Sequence, residues 1–84
     1  MLYAVCVWPK SGGMMIGWAS GDLPKVAADK VAQELQMNRD KKRWPAGEYT
    51  FYVHPVPPDE VVRASTILTY SLDKPVEQFT LQLD

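Results

Sequence analysis

The chain has little from which a metal centre or a disulfide framework could be built. Its 84 residues include one cysteine, Cys6, and one histidine, His54. A structural zinc site needs four Cys or His ligands, so we expect no metal and no other cofactor. A lone cysteine cannot form an internal disulfide, and a small domain without disulfides is typical of a reducing compartment. We therefore expect a cytoplasmic protein.

Charge of one sign and long apolar runs are also scarce. The formal net charge of -1 gives no general attraction to DNA or to an anionic membrane. Residues 1–8 are apolar but too short to span a bilayer, and no basic segment precedes them as in a secretory signal, so we expect no membrane partner. A chain of 84 residues is expected to form a single domain, 1–84, without a deep cleft.

Catalytic motifs are missing from the sequence. The acidic residues lie in expected caps, in turns or on the polar face of a helix, where solvation explains them. The glycine-containing loop at 11–13 lacks the spacing and the lysine of a phosphate-binding loop, and we interpret it as a hairpin turn. A nucleophile and base pair of Cys6 and His54 would require neighbouring first and third strands, and an inert buried Cys6 is the commoner arrangement. We expect a protein that is not an enzyme.

Several segments have the pattern of β-strands. Residues 2–8 form a β-favouring run that ends at Pro9, and residues 14–19 return as a second strand with Met14, Ile16 and Trp18 on one face. Residues 49–56 carry bulky side chains on both faces, which predicts a central strand. A last strand is predicted where Phe79, Leu81 and Leu83 alternate with polar residues.

One amphipathic helix is predicted between the second and third strands. Asp22 is a candidate cap, Pro24 suits a first turn, and the helix should end at about residue 37 or 38. Its apolar stripe should pack on the sheet. The residues of that stripe are Leu23, Ala27, Ala28, Val31, Ala32 and Leu35.

The segment after the third strand allows two interpretations. Residues 62–72 alternate like a long strand, whereas Pro58, Asp59 and Glu60 resemble the first turn of a helix, so residues 58–63 could begin either element. With a strand there, the order is ββαβββ. The expected fold is therefore α+β, with an antiparallel sheet of about five strands and one amphipathic helix on one face.

The surplus of Met, Trp and basic residues is the main functional signal. A hairpin packed on one helix buries one face, so some large apolar side chains should be exposed beside a basic corner at residues 39–44. Aromatic residues, Met and Arg are enriched in interface cores, which favours a protein-binding module, as a monomer or a homodimer. A nucleic-acid-binding module using the basic corner is the alternative. The candidate contact residues are Trp8, Met14, Met15, Trp18, Arg39, Lys41, Lys42, Arg43 and Trp44.

The segment PAGEYTFYVHP, residues 45–55, follows a predicted hairpin and helix. With Pro45, Ala46, Gly47, Val53 and Pro55 at matching spacing, it resembles the corresponding segment of the small T7-type phage proteins that inhibit bacterial RNA polymerase. The resemblance implies a protein that binds a surface of RNA polymerase without catalysis. We expect a phage-encoded host-takeover protein in the host cytoplasm that inhibits a host complex, either RNA polymerase or a defence system. That family has arginines on the third strand, where this chain has Tyr52 and His54.

Overall fold

A computed structural model describes residues 1–10, 12–56 and 77–84. Within these residues the elements are β1 (Leu2–Val7), β2 (Met15–Ser20), α1 (Pro24–Asn38), β3 (Gly47–Val56) and β4 (Glu77–Leu83). The strands form a 4-stranded sheet in the order β2-β1-β3-β4, and every neighbouring pair is antiparallel. The predicted α+β class and antiparallel sheet are confirmed. The strand expected at 62–72, and with it the ββαβββ order, lies outside the described residues, as does the choice between helix and strand at 58–63.

The hairpin of β1 and β2 forms because its loop contains residues that a tight reversal requires. Gly12 and Gly13 have φ angles of 87° and 85°, a left-handed backbone that glycine adopts without steric cost. The Gly12 N–H donates to the carbonyl of Pro9 at 3.1 Å. The hairpin predicted from sequence is confirmed, with Cys6 opposite Ile16 in its register.

Helix α1 runs over the predicted residues but begins differently. Leu23 is the N-cap residue in extended backbone, and no side chain caps the helix, so the expected cap by Asp22 is wrong. Pro24 occupies the first turn, as predicted. Leu23 is 62% exposed, which corrects its place in the buried stripe. It precedes the first helical turn, so helical spacing does not determine where its side chain points.

The main core lies between α1 and one face of the sheet. The helix contributes Ala27, Ala28, Val31 and Leu35, and their small size lets it lie close to the strands. A Cβ added to Gly17 would be 3.0 Å from a methyl carbon of Val31. The strands and the segment before β3 contribute Tyr3, Val5, Val7, Trp44, Tyr49, Phe51, Val53 and Leu83.

The opposite face of the sheet carries a second apolar cluster, and we call it the helix-free face because the described residues place no helix on it. Ala4, Cys6 and Val56 are buried there. Trp8, Met14, Ile16 and Tyr52 pack against them as partly buried residues. Strand β1 is therefore apolar on both faces, and β3 adds Tyr52 and Val56 on the face opposite its core residues, which fits their central positions in the described sheet. In the described part of the chain, no helix is long and apolar enough to cross a membrane.

Candidate protein-binding site

The candidate site lies at one end of the sheet, where the antiparallel order collects several loops. Strands β1 and β4 and helix α1 end there, and strands β2 and β3 begin there. We call this region the loop end and define it as residues 8–10, 12–14 and 39–46. Because all of these segments meet at one end, groups distant in sequence share a single surface.

Residues 39–43, the basic turn, bring mostly positive charge to the loop end. The backbone N–H groups of Arg43 and Trp44 donate to the Asp40 carbonyl at 3.1 and 2.8 Å, which closes the turn. The Asp40 carboxylate accepts from the Lys42 N–H at 3.0 Å. This local bond orients Asp40 toward the backbone. The side chains of Lys41 and Lys42 are exposed to solvent.

The two arginines of the basic turn fix it to neighbouring segments. Arg43 Nη2 donates to the Gly13 carbonyl at 3.1 Å, which joins the turn to the hairpin loop. Arg39 donates to Gln36 Oε1 at 2.8 Å and also to the carbonyl of Asp84. Arg43 is exposed, whereas Arg39 is partly buried and its Nε has no hydrogen-bond partner among the described residues.

A first groove, of about 400 Å³, lies between β2, the second half of α1 and the basic turn. Its floor is apolar, whereas its rim carries charges of both signs. The floor includes Met15, Gly17, Val31, Leu35 and Trp44, and the rim includes Glu34, Arg39, Asp40 and Arg43. This combination suits an apolar side chain flanked by a charged one.

A second groove, of about 350 Å³, lies on the other side of the hairpin loop and is rich in aromatic residues. Trp8 and Tyr52 meet edge to face with their ring centroids 5.4 Å apart. The Nζ atom of Lys10 lies 5.2 Å from the centroid of the Tyr49 ring. The Tyr49 hydroxyl donates to the carbonyl of Pro45 at 2.6 Å. These contacts hold the aromatic side chains in place before any partner binds.

The structure brings together most of the contact residues predicted from sequence, but not all of them. Trp44 is 5% exposed and packs at 5.5 Å between ring centroids against Tyr49, so it supports the core beneath the basic turn. Trp18 is 48% exposed but lies toward the other end of β2, opposite Ala4. The remaining predicted residues lie at or beside the loop end: Trp8, Met14, Met15, Arg39, Lys41, Lys42 and Arg43.

Several groove residues were not among the predicted contact residues, and Lys10 and Glu34 are two of them. Lys10 follows Pro9 in the hairpin loop, and its position in a turn was the signal that it would be exposed beside the aromatic residues. Glu34 lies on the rim of the first groove. Only the packing of α1 against β2 places it there, so the sequence pattern offered no signal.

The residues considered for catalysis are neighbours in the sheet. Strands β1 and β3 pair, with Cys6 opposite Tyr52 and Ala4 opposite His54. Cys6 and His54 are therefore diagonal neighbours on the helix-free face, as the enzyme alternative required. Cys6 is 0% exposed, however, so a substrate has no access to its thiol in this conformation. The described residues contain no group of three or more potential metal ligands.

Comparison of the chain with models of protein families, with curated proteins and with solved structures finds no match.

Proposed function

We propose that the chain is a small protein-binding module without catalytic activity, and that the loop end is its contact surface. The bond from Arg43 Nη2 to the Gly13 carbonyl, at 3.1 Å, is the observation that carries the proposal. It joins the basic turn to the hairpin loop, so exposed lysines and the aromatic second groove belong to one preorganised surface. Preorganisation lowers the entropic cost of binding.

The chemistry of this surface favours an acidic partner. Lys41 and Lys42 present positive charge, and the described residues pair neither of them with a carboxylate. At the same end of the sheet, the second groove offers the rings of Trp8 and Tyr52, with Lys10 and Glu48 among its other lining residues. Interfaces are strengthened by anchors that fill such pockets, while complementary charge speeds and orients association. A partner with carboxylates around an exposed apolar side chain would fit this arrangement.

The resemblance of residues 45–55 to phage inhibitors suggests where to look for this partner. That segment begins two residues after the basic turn and runs through most of β3 (Gly47–Val56). In our proposal the chain is phage-encoded, acts in the host cytoplasm and blocks a bacterial complex by occupying its surface. RNA polymerase is the first candidate partner, and a defence complex is the second.

The test is affinity capture from bacterial lysate treated with nuclease, comparing Lys42→Glu with Lys25→Glu. Both substitutions reverse the charge of one exposed lysine, but Lys25 lies in α1 at the opposite end of the molecule. We expect Lys42→Glu to weaken capture of a stoichiometric protein partner by about tenfold at low salt. Lys25→Glu should capture as much as wild type. Equal capture by both variants would refute the assignment of the loop end.

Binding of nucleic acid is the second candidate function, because Lys41 and Lys42 are exposed and phosphates attract such groups. The aromatic residues of the loop end favour binding of nucleic acid less than binding of protein. Lys10 covers one face of the Tyr49 ring and Trp44 is buried, so neither ring presents a free face on which a base could stack. Recovery that disappears with nuclease, and an affinity that falls steeply with salt, would support nucleic acid over protein.

A further inference from the structure

Strand β2 lies at the edge of the described sheet, where it pairs with β1 alone. Its free side can be identified from its backbone. Met1 and Gly21 exchange backbone hydrogen bonds of 3.1 and 3.3 Å, which marks a hydrogen-bonded pair. Because such pairs alternate along an antiparallel ladder, Ile16 and Trp18 direct their N–H and C=O groups away from β1.

The contact made by Lys30 agrees with this alternation. Ser20 also points its backbone groups outward, and its carbonyl accepts a hydrogen bond from Lys30 Nζ. In the described part of the chain, the backbone groups of Ile16 and Trp18 have no such cover from α1. An uncovered edge of this kind is a template for pairing with another strand.

We propose that β2 pairs antiparallel with β2 of a second copy, in a register centred on Gly17, to form a homodimer with a continuous sheet. Ile16 of each copy then exchanges backbone hydrogen bonds with Trp18 of the other. Gly17 faces Gly17 across the two-fold axis in a pair without hydrogen bonds, where Cα atoms approach to about 4.5 Å. This inference goes beyond the proposed function and concerns the free edge of β2, which shares only the first groove with the candidate site.

Side chains on the helix-free face support the register. Trp18 is 48% exposed, and Ile16 is partly buried against the second apolar cluster. Pairing centred on Gly17 places Ile16 of one copy directly opposite Trp18 of the other. The two-fold axis produces the same contact a second time, with the two copies exchanged. Pairs of an aromatic and a β-branched residue stabilise antiparallel sheets. The dimer would therefore cover a large aromatic side chain that the monomer leaves in water.

The helix side of β2 carries a groove at one end and apolar side chains at the other. The first groove begins at Met15, where β2 starts. Leu23 and Val26, which are 62% and 37% exposed, lie near Gly21 just beyond the end of β2. Antiparallel pairing brings the end of one β2 beside the start of the other. Each groove thus receives the exposed Leu23 and Val26 of the second copy.

Charges follow the same symmetry. Lys30 lies at the end of β2, where it contacts the Ser20 carbonyl, whereas Glu34 lies on the rim of the groove at the start of β2. Antiparallel pairing places Lys30 of each copy beside Glu34 of the other. The guanidinium groups of Arg39 and Arg43 on the same rim are already bonded to other acceptors. One two-fold axis therefore brings three kinds of complementary groups together: the free backbone groups of the two β2 strands, the apolar side chains and the grooves, and the opposite charges. A second copy of the chain fits this edge for that reason.

The test is sedimentation velocity of the intact chain between about 1 and 500 µM, with wild type expected to shift from monomer to dimer. Trp18→Lys should raise the dissociation constant of the dimer by at least about tenfold. Gln82→Lys is the matched control, because it adds the same charge to an exposed position on β4, at the other edge of the described sheet. A wild-type chain that remains monomeric throughout, or a Trp18→Lys variant that dimerises like Gln82→Lys, would overturn the proposal.

A charge exchange tests the register and does not depend on Trp18. Lys30→Glu and Glu34→Lys should each weaken the dimer several-fold, and the double variant should regain most of the affinity. If the loss of dimer affinity in the double variant equalled the sum of the losses in the two single variants, the pairing of these residues would be contradicted. Lys42→Glu separates the two proposals, since it should lose the partner of the loop end but dimerise like wild type. If only partner binding fails, the dimer proposal still holds, and if only dimerisation fails, the proposed function still holds.

Discussion

Replacement of Gly17 by alanine should destabilise the fold by crowding Val31. The new Cβ would lie 3.0 and 3.1 Å from the two Val31 methyl carbons, whereas carbon atoms pack best at about 3.5–4.0 Å. Val31 is 3% exposed, and a β-branched side chain in a helix has one strongly preferred rotamer, so the methyl groups cannot turn away. The helix must move instead.

The size of the effect follows from two opposing terms. Overpacking of a core costs about 1–3 kcal/mol, while replacing glycine by alanine recovers about 0.4–1 kcal/mol by restricting the unfolded chain. We expect a net loss of about 1–2 kcal/mol in the free energy of unfolding. For a domain of this size, each kcal/mol lowers Tm by about 4–8 °C. Urea denaturation at a fixed low protein concentration, with thermal unfolding alongside, measures both quantities.

A double-mutant cycle tests the cause of this loss. Val31→Ala alone should cost about 1–3 kcal/mol, because it removes two buried methyl groups. In the Gly17→Ala/Val31→Ala variant the new methyl occupies part of the vacated space, so the double variant should be more stable than the sum by about 1 kcal/mol. Leu83→Ala, on β4 and distant from Gly17 in the sheet, is the control and should add to Gly17→Ala without coupling. Additive costs with Val31→Ala would refute the crowding argument.

Three further variants or measurements examine the core and the loop end. Trp44→Ala should lower the free energy of unfolding by about 3–5 kcal/mol because the indole is buried. Lys42→Ala should change it by less than about 0.5 kcal/mol. Comparable losses for the two variants in urea denaturation would contradict the core position of Trp44. Tyr49→Phe removes the hydroxyl that donates to the Pro45 carbonyl in a partly buried hydrogen bond, so a loss of about 0.5–1.5 kcal/mol is expected. A loss of several kcal/mol would point to a larger network. The buried Cys6 thiol should react with a thiol reagent at least about a hundredfold more slowly in the native protein than in urea, and equal rates would reopen the enzyme alternative.

The parts of the fold that the sequence predicts well are those with a local cause. Pro24 and the spacing of Ala27, Val31 and Leu35 are enough to locate α1, since a helix has one period and a recognisable first turn. Strand β3 could be placed centrally because its side chains are bulky on both faces, and a strand covered on both sides has that composition. These inferences require no knowledge of distant contacts.

The candidate site was harder to predict because its members are defined by tertiary contacts. Trp44 follows a run of basic residues in a turn without periodicity, and its burial depends on the ring of Tyr49. Trp18 has the residue type of a contact residue, yet it lies three residues along β2 from Met15, or about 10 Å at the rise of a strand. Residue type therefore identified candidate contact residues, whereas register decided which of them share a surface.

Gly17 connects the packing of the monomer with the proposed dimer. Its missing side chain lets α1 lie close to β2, and the helix in turn holds Lys30 and Glu34 beside the edge. Gly17→Ala should therefore weaken both the fold and the dimer, because a displaced helix carries these charges with it. Trp18→Lys should weaken the dimer with little effect on the monomer, since Trp18 is 48% exposed. If Gly17→Ala lowered the stability of the monomer but left the dimer intact, the helix would not belong to the interface, and pairing of the β2 edges alone would have to hold the two copies together.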